Sequence, residues 1–190
     1  SPYVLLTISV LCWGGNFVVG RVANTDMPPM ALSFWRHALA SAMIVPFVWS
    51  GIRADWPVMR RNLPMLAILS GILVAANTLV YFAVLHTTVV NAALINGGVP
   101  VSAVFFSWLL SRDLINRWQA VGILFCFTGI ATVVTKADMG VLLALDFGWG
   151  DLYMLCAVIL WGIYMVLLKR SAIRVSGWPL VAVLTVGGML

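Results

Sequence analysis

The stretch "CWGGNF", Cys12 to Phe17, breaks into an apolar run that begins at Tyr3. Glycine and asparagine are weak helix formers, and a tryptophan in an apolar setting needs a partner for its indole N–H. A shorter echo, "LWGIYM" (Leu160 to Met165), places Trp161-Gly162 148 positions after Trp13-Gly14. In that register Val10-Leu11-Cys12 lies over Val158-Ile159-Leu160, Arg21 falls on Lys169, and Pro28-Pro29 falls near Gly177 and Pro179. What the echo means depends on what separates the two copies.

Mostly it is hydrocarbon. The 190 residues are 63% hydrophobic and 9% charged, and every one of the six acids is Asp. A soluble domain carries about 25% charged residues, so the surplus apolar surface belongs in a bilayer. The net charge of +5 does not signal nucleic acid, because the basic residues are scattered at the ends of apolar runs and form no patch. Cys12, Cys126 and Cys156 all lie inside apolar runs. No CxxC pair or nearby His accompanies them, so neither a disulfide nor a metal site is expected, and no cofactor. No cleavable signal peptide is evident.

A membrane-spanning helix needs about 20 apolar residues. The sequence predicts spans at 3–22, 30–49, 64–85, 89–110, 117–135 and 150–168, with a seventh beginning near 178. Loops are expected at Asn24–Pro29, Gly51–Pro64, Ser111–Asp113 and Lys136–Gly150. Alternate loops differ in charge. One set holds Arg53, Arg60, Arg61, Arg112, Arg117, Lys169, Arg170 and Arg174, while the other holds only Arg21 and Lys136. Asp26, Asp138, Asp146 and Asp151 fall with the second set. By the positive-inside rule the first set is cytoplasmic, and so is the N-terminus. Trp49, Trp56, Trp118, Trp149 and Trp178 fit an interfacial aromatic belt; Trp13, Trp35 and Trp161 lie inside spans.

Five spans therefore separate the two copies of the echo. A unit with an odd number of helices must insert upside down relative to its repeat, and inverted repeats mark secondary transporters. The expected architecture is an all-α integral membrane protein of two inverted five-helix repeats, with 1–135 the first, 136–149 an extracytoplasmic linker and 150–190 the start of the second. The seventh run reaches Leu190 after about 13 residues, or ~20 Å of helix. That is short of a ~30 Å core, so three and a half further helices are expected.

At this point the residues carry a resemblance. "CWGGNFVVGRVANTDMPPMALSFWRHALA" is similar to the opening of an EamA unit of the drug/metabolite transporter superfamily. "YFAVLHTTVVNAALINGGVPVSAVFFSWLLSRDLINRWQAVGILFCFTGI" is similar to its third to fifth helices. The loop after the fourth helix usually carries Glu in that family; here Asp113 stands there, preceded by Arg112. The resemblance implies ten helices in two inverted units and export or exchange of small metabolites in a bacterial inner membrane. Within the family the chain most resembles YddG-type amino acid exporters, which implies a monomeric carrier of amino acids whose partners are lipid and substrate, with no nucleic acid.

Polar groups are costly in hydrocarbon, so their placement is informative. On the first span Ser9, Cys12, Trp13, Asn16 and Gly20 share one helical face. Tyr153, Ala157, Trp161, Tyr164 and Leu168 form a similar stripe on the sixth, and Ser70, Asn77 and Tyr81 one on the third. Two roles are open for Trp13, Asn16, Asn77, Tyr81, Trp161 and Tyr164: lining a cavity between the repeats, or packing. For the glycines close helix packing is expected. Arg36 lies inside the second span. It is expected to meet a substrate carboxylate in the company of Trp35, the alternative being that it snorkels to the interface. His37 is expected to be a packed neutral histidine. In the fourth span Pro100 cannot donate to Asn96, and Gly97-Gly98 precede it, which predicts a kink or hinge. Pro46 is a lesser kink candidate.

An enzyme is excluded on chemistry. Gly148-Trp149-Gly150-Asp151 matches the G-x-G-D string of intramembrane aspartyl proteases, but that reaction needs two facing carboxylates, and no second intramembrane Asp exists. A passive channel with Asn-lined faces remains the alternative to a carrier.

Overall fold

The computed structural model describes residues 2–112, 116–134, 148–171, 173, 175 and 177–189. Among them run eight helices: α1 (Pro2–Ala23), α2 (Pro29–Arg61), α3 (Leu63–His86), α4 (Val89–Asn96), α5 (Val99–Ser111), α6 (Arg117–Val134), α7 (Trp149–Arg170) and α8 (Gly177–Gly187). Tyr3–Ala23, Pro29–Arg61, Leu63–His86, Val89–Ser111 and Trp149–Arg170 are each long and apolar enough to cross a membrane. The protein is an all-α integral membrane protein. Asp113, Arg174 and the expected linker as far as residue 147 lie outside the described residues; Gly148 caps α7, and Trp149 already belongs to it.

The second span differs from expectation. The predicted loop at Gly51–Pro64 is helical as far as Arg61, so α2 is about 50 Å long and outruns a ~30 Å core. The reason is its sidedness. Ile52 and Met59 are two turns apart on one face and buried, while Ala54, Val58 and Arg61 point outward on the other. Pro46 and Pro57 are accommodated within the helix. Asn62 stops it: its backbone leaves the helical region at φ −110° and ψ 17°, and its side-chain amide donates to the carbonyl of Val58 at 2.8 Å.

Two ends of the bundle can be told apart. At one, the turn between α3 and α4 gathers its neighbours. The Arg21 guanidinium donates to the carbonyls of Val84 and Thr87, and Asn24 donates to the carbonyl of Tyr81 at 2.9 Å. The buried Asp151 carboxylate accepts from the Thr87 hydroxyl at 2.9 Å and from Asn91 at 2.6 Å. Gly150 permits this approach: a Cβ there would sit 2.6 Å from the backbone nitrogen of Thr87. At the opposite end Arg170 donates to the carbonyl of Leu110 at 2.7 Å, and Met59, Leu66, Leu69 and Leu184 form a buried cluster. Hence α1 and α3 run toward the α3–α4 turn, and α5 and α7 run away from it. The larger core cluster joins Phe17 of α1, Val80 and Val84 of α3, Ile95 of α4 and Met154 and Val158 of α7.

The glycines divide. Gly14 and Gly15 were expected to pack closely, but nothing among the described residues lies within 4 Å of a Cβ built on either. The close approach on α1 is made instead by Gly20, whose Cβ would meet the Tyr81 ring at 2.9 Å. On α7, Gly162 presses against Ser102, a Cβ there falling 2.7 Å from the Ser102 carbonyl carbon.

Between α4 and α5 the chain tightens without unwinding. Gly97 and Gly98 both keep right-handed helical angles. The Gly97 N–H is shared between the carbonyls of Ala93 and Leu94, and Gly98 N–H bonds to Ile95 at 2.9 Å. The bonds to Leu94 and Ile95 are the three-residue bonds of a tighter turn. The Cys126 thiol of α6 donates to the Gly97 carbonyl at 3.4 Å.

Candidate functional site

Five helices enclose a cavity of about 500 Å³. Cys12, Trp13 and Asn16 line it from α1, Arg36, His37 and Ala40 from α2, Leu73 and Asn77 from α3, Trp161 and Tyr164 from α7, and Val181, Leu184 and Thr185 from α8. The register that brings α2 and α3 together is fixed by a bond from the Thr78 hydroxyl to that of Ser33 at 2.9 Å. The spacing on α1 and α7 does the rest: Cys12, Trp13 and Asn16, like Trp161 and Tyr164, fall at helical three- and four-residue intervals.

The aromatic wall is continuous. The Trp13 and Trp161 rings meet with centroids 5.8 Å apart, and Trp161 stands edge-on to Tyr164 at 5.5 Å. Arg36 is the one charged residue among the described lining. Its guanidinium carbon lies 5.7 Å from the centre of the Tyr81 ring, and its buried Nε has no hydrogen-bond partner among the described residues. Tyr81 is 3% exposed and lies just behind the lining, its hydroxyl donating to Asn16 Oδ1 at 3.2 Å. No carboxylate faces the cavity among the described residues. The arrangement thus offers one half-buried cation, amide groups and broad aromatic faces to a small amphipathic anion or zwitterion.

Trp13, Asn16, Arg36, Asn77, Trp161 and Tyr164 come together here, with Tyr81 behind Arg36. Trp35 does not. It is 54% exposed and packs edge-on against Phe34 at 5.8 Å, so the aromatic partner of Arg36 is Tyr81. Successive helical residues are turned by about 100°; with His37 directed into the cavity, Trp35 is turned about 200° away. His37 is packed, as expected, at 3% exposed, and it also borders the cavity. Leu73 and the α8 residues were also not singled out, being apolar or late in the chain. Gly98 borders a different crevice of about 510 Å³ between α5, α6 and α7, lined almost wholly by apolar side chains such as Phe105, Phe127 and Leu155.

The sequence model of the EamA-like transporter family matches residues 1–135. The chain belongs to this family. Among curated proteins, an uncharacterized transporter of Archaeoglobus fulgidus is 28% identical over 181 residues, which is 92% of this chain and 59% of that protein. The uncharacterized transporter YyaM of Bacillus subtilis is 26% identical over 171 residues, 88% of this chain and 55% of YyaM. The chain spans little more than half the length of these relatives. No solved structure matches it.

Proposed function

We propose that this EamA-family protein is a carrier that exports small amphipathic metabolites, amino acids foremost, across a bacterial inner membrane by alternating access. The observation that carries this reading is Arg36, a cation with a buried Nε unpartnered among the described residues in a cavity lined otherwise by neutral and aromatic groups. A guanidinium is matched to a carboxylate both in charge and in fork geometry. The neighbouring Trp13 and Trp161 suit an apolar or aromatic side chain, in keeping with a YddG-type exporter.

The cavity lies between α1 and α7, the helices that begin the two matched sequence units, and these run in opposite directions, as inverted repeats require. Arg53, Arg60, Arg61, Arg112, Arg117, Lys169 and Arg170 gather at the end away from the α3–α4 turn. By the positive-inside rule that end, with the N-terminus, is cytoplasmic. Gly97, Gly98 and Pro100 supply the hinge, since a proline and two glycines weaken the backbone ladder there. The carrier works as a monomer.

Counterflow in proteoliposomes tests this. Saturable exchange of amino acids supports a carrier; unsaturable flux at channel rates replaces it with a passive pore. In the same assay Arg36→Ala lowers exchange at least about tenfold, the loss of one charge-assisted pairing. A pH gradient across the liposomes reads coupling.

A further inference from the structure

We propose that Asn77 and His37 recognise an ammonium group, so that the cavity prefers zwitterions to simple carboxylates; this rests on the carrier reading above and deepens it. Asn77 is oriented by its own helix. Its Nδ2 donates to the carbonyl of Leu73 at 2.7 Å, which leaves Oδ1, a pure acceptor, toward the cavity that Asn77 lines. His37 is held in the same manner. Its Nδ1 lies 2.7 Å from the carbonyl oxygen of Ser33. A carbonyl only accepts, so Nδ1 carries the proton and Nε2 of the neutral imidazole is an acceptor. Neither acceptor has a hydrogen-bond partner among the described residues.

The donors are sorted just as clearly. Asn16 Oδ1 accepts from the Tyr81 hydroxyl, which leaves its NH₂ as the donor Asn16 offers to the cavity that it lines with Arg36. Arg36 stacks on Tyr81, and Tyr81 lies one turn beyond Asn77, about 6 Å along α3. The cation of Arg36 and the acceptor of Asn77 line the same cavity, as a ligand that carries a carboxylate and an ammonium on one carbon requires. A ligand with a carboxylate alone leaves Asn77 Oδ1 and His37 Nε2 unpaired once water is excluded, a loss of roughly tenfold or more in affinity.

The test uses the full-length protein in proteoliposomes. Counterflow of labelled L-phenylalanine is competed by L-phenylalanine or by 3-phenylpropionate, and that of L-leucine by L-leucine or by 4-methylpentanoate. The deaminated acids compete at least about tenfold more weakly. Asn77→Leu and His37→Phe each narrow that gap, to within about threefold for Asn77→Leu, whereas Asn77→Asp keeps it. Equal competition by amino acid and deaminated acid in the unaltered protein overturns the proposal while leaving the carrier reading intact. An undiminished gap in both variants overturns the assignment to these residues. If Asn77→Leu does not fold, His37→Phe and the unaltered protein decide. Absence of any saturable counterflow overturns both readings.

Discussion

Trp13-Gly14 and Trp161-Gly162 are the same pair of letters in two different surroundings. The tryptophans do the same thing: their rings touch at 5.8 Å and wall one cavity. The glycines do not. Gly162 is the point where α7 crosses α5, with no room for a Cβ against Ser102, while Gly14 faces open space. The neighbours explain this. α7 is packed between α3 on one side and α4 and α5 on the other. α1 packs mainly against α3 and α4, through its Phe17 and Gly20 side. A matched motif fixes the phase of a helix about its axis; what a glycine in that motif does is set by the helix opposite it.

That difference can be broken experimentally. The largest effect is expected at Gly162. Gly162→Leu forces a branched side chain into the Ser102 backbone and lowers stability by about 3 kcal/mol or more, read as loss of the folded, monodisperse protein in detergent. The tryptophans come next and should behave as a pair. Trp13→Ala and Trp161→Ala each weaken substrate exchange, and a double-mutant cycle on thermal stability gives a coupling of about 1 kcal/mol. Additivity within a few tenths of a kcal/mol would show that the rings share a cavity without supporting each other. The smallest effect belongs to Gly14→Ala. With nothing near its Cβ, it should stabilise α1 by up to about 1 kcal/mol through helix propensity alone. A loss of stability there would mean that Gly14 packs against something after all.

The same contrast shows what the sequence could disclose. The helices were legible because apolar runs of spanning length leave few alternatives in lipid, and the polar stripes on α1, α3 and α7 because cavity-facing groups recur at helical spacing. The end of α2 was not legible. Arg53, Pro57 and Arg60 look like a loop in composition, yet Ile52 and Met59 keep one face buried, and that face outweighs two prolines. Trp35 was misplaced because adjacent residues on a helix cannot share a direction, so Arg36 could not keep both Trp35 and His37 beside the cavity. That the packed His37 also borders the cavity was not legible, because its bond to Ser33 is invisible without coordinates.

Thr87 is a small residue with two masters. Its hydroxyl serves Asp151 at the head of α7, and its carbonyl serves Arg21 at the tail of α1. Both helices that frame the cavity are therefore tethered to one peptide unit in the α3–α4 turn. Neither can swing at that end as a free lever: a displacement of α7 either drags Thr87 and with it α1, or breaks the bonds that Thr87 and Asn91 make to Asp151. The mechanical independence of the two helices is thus decided outside the cavity they share.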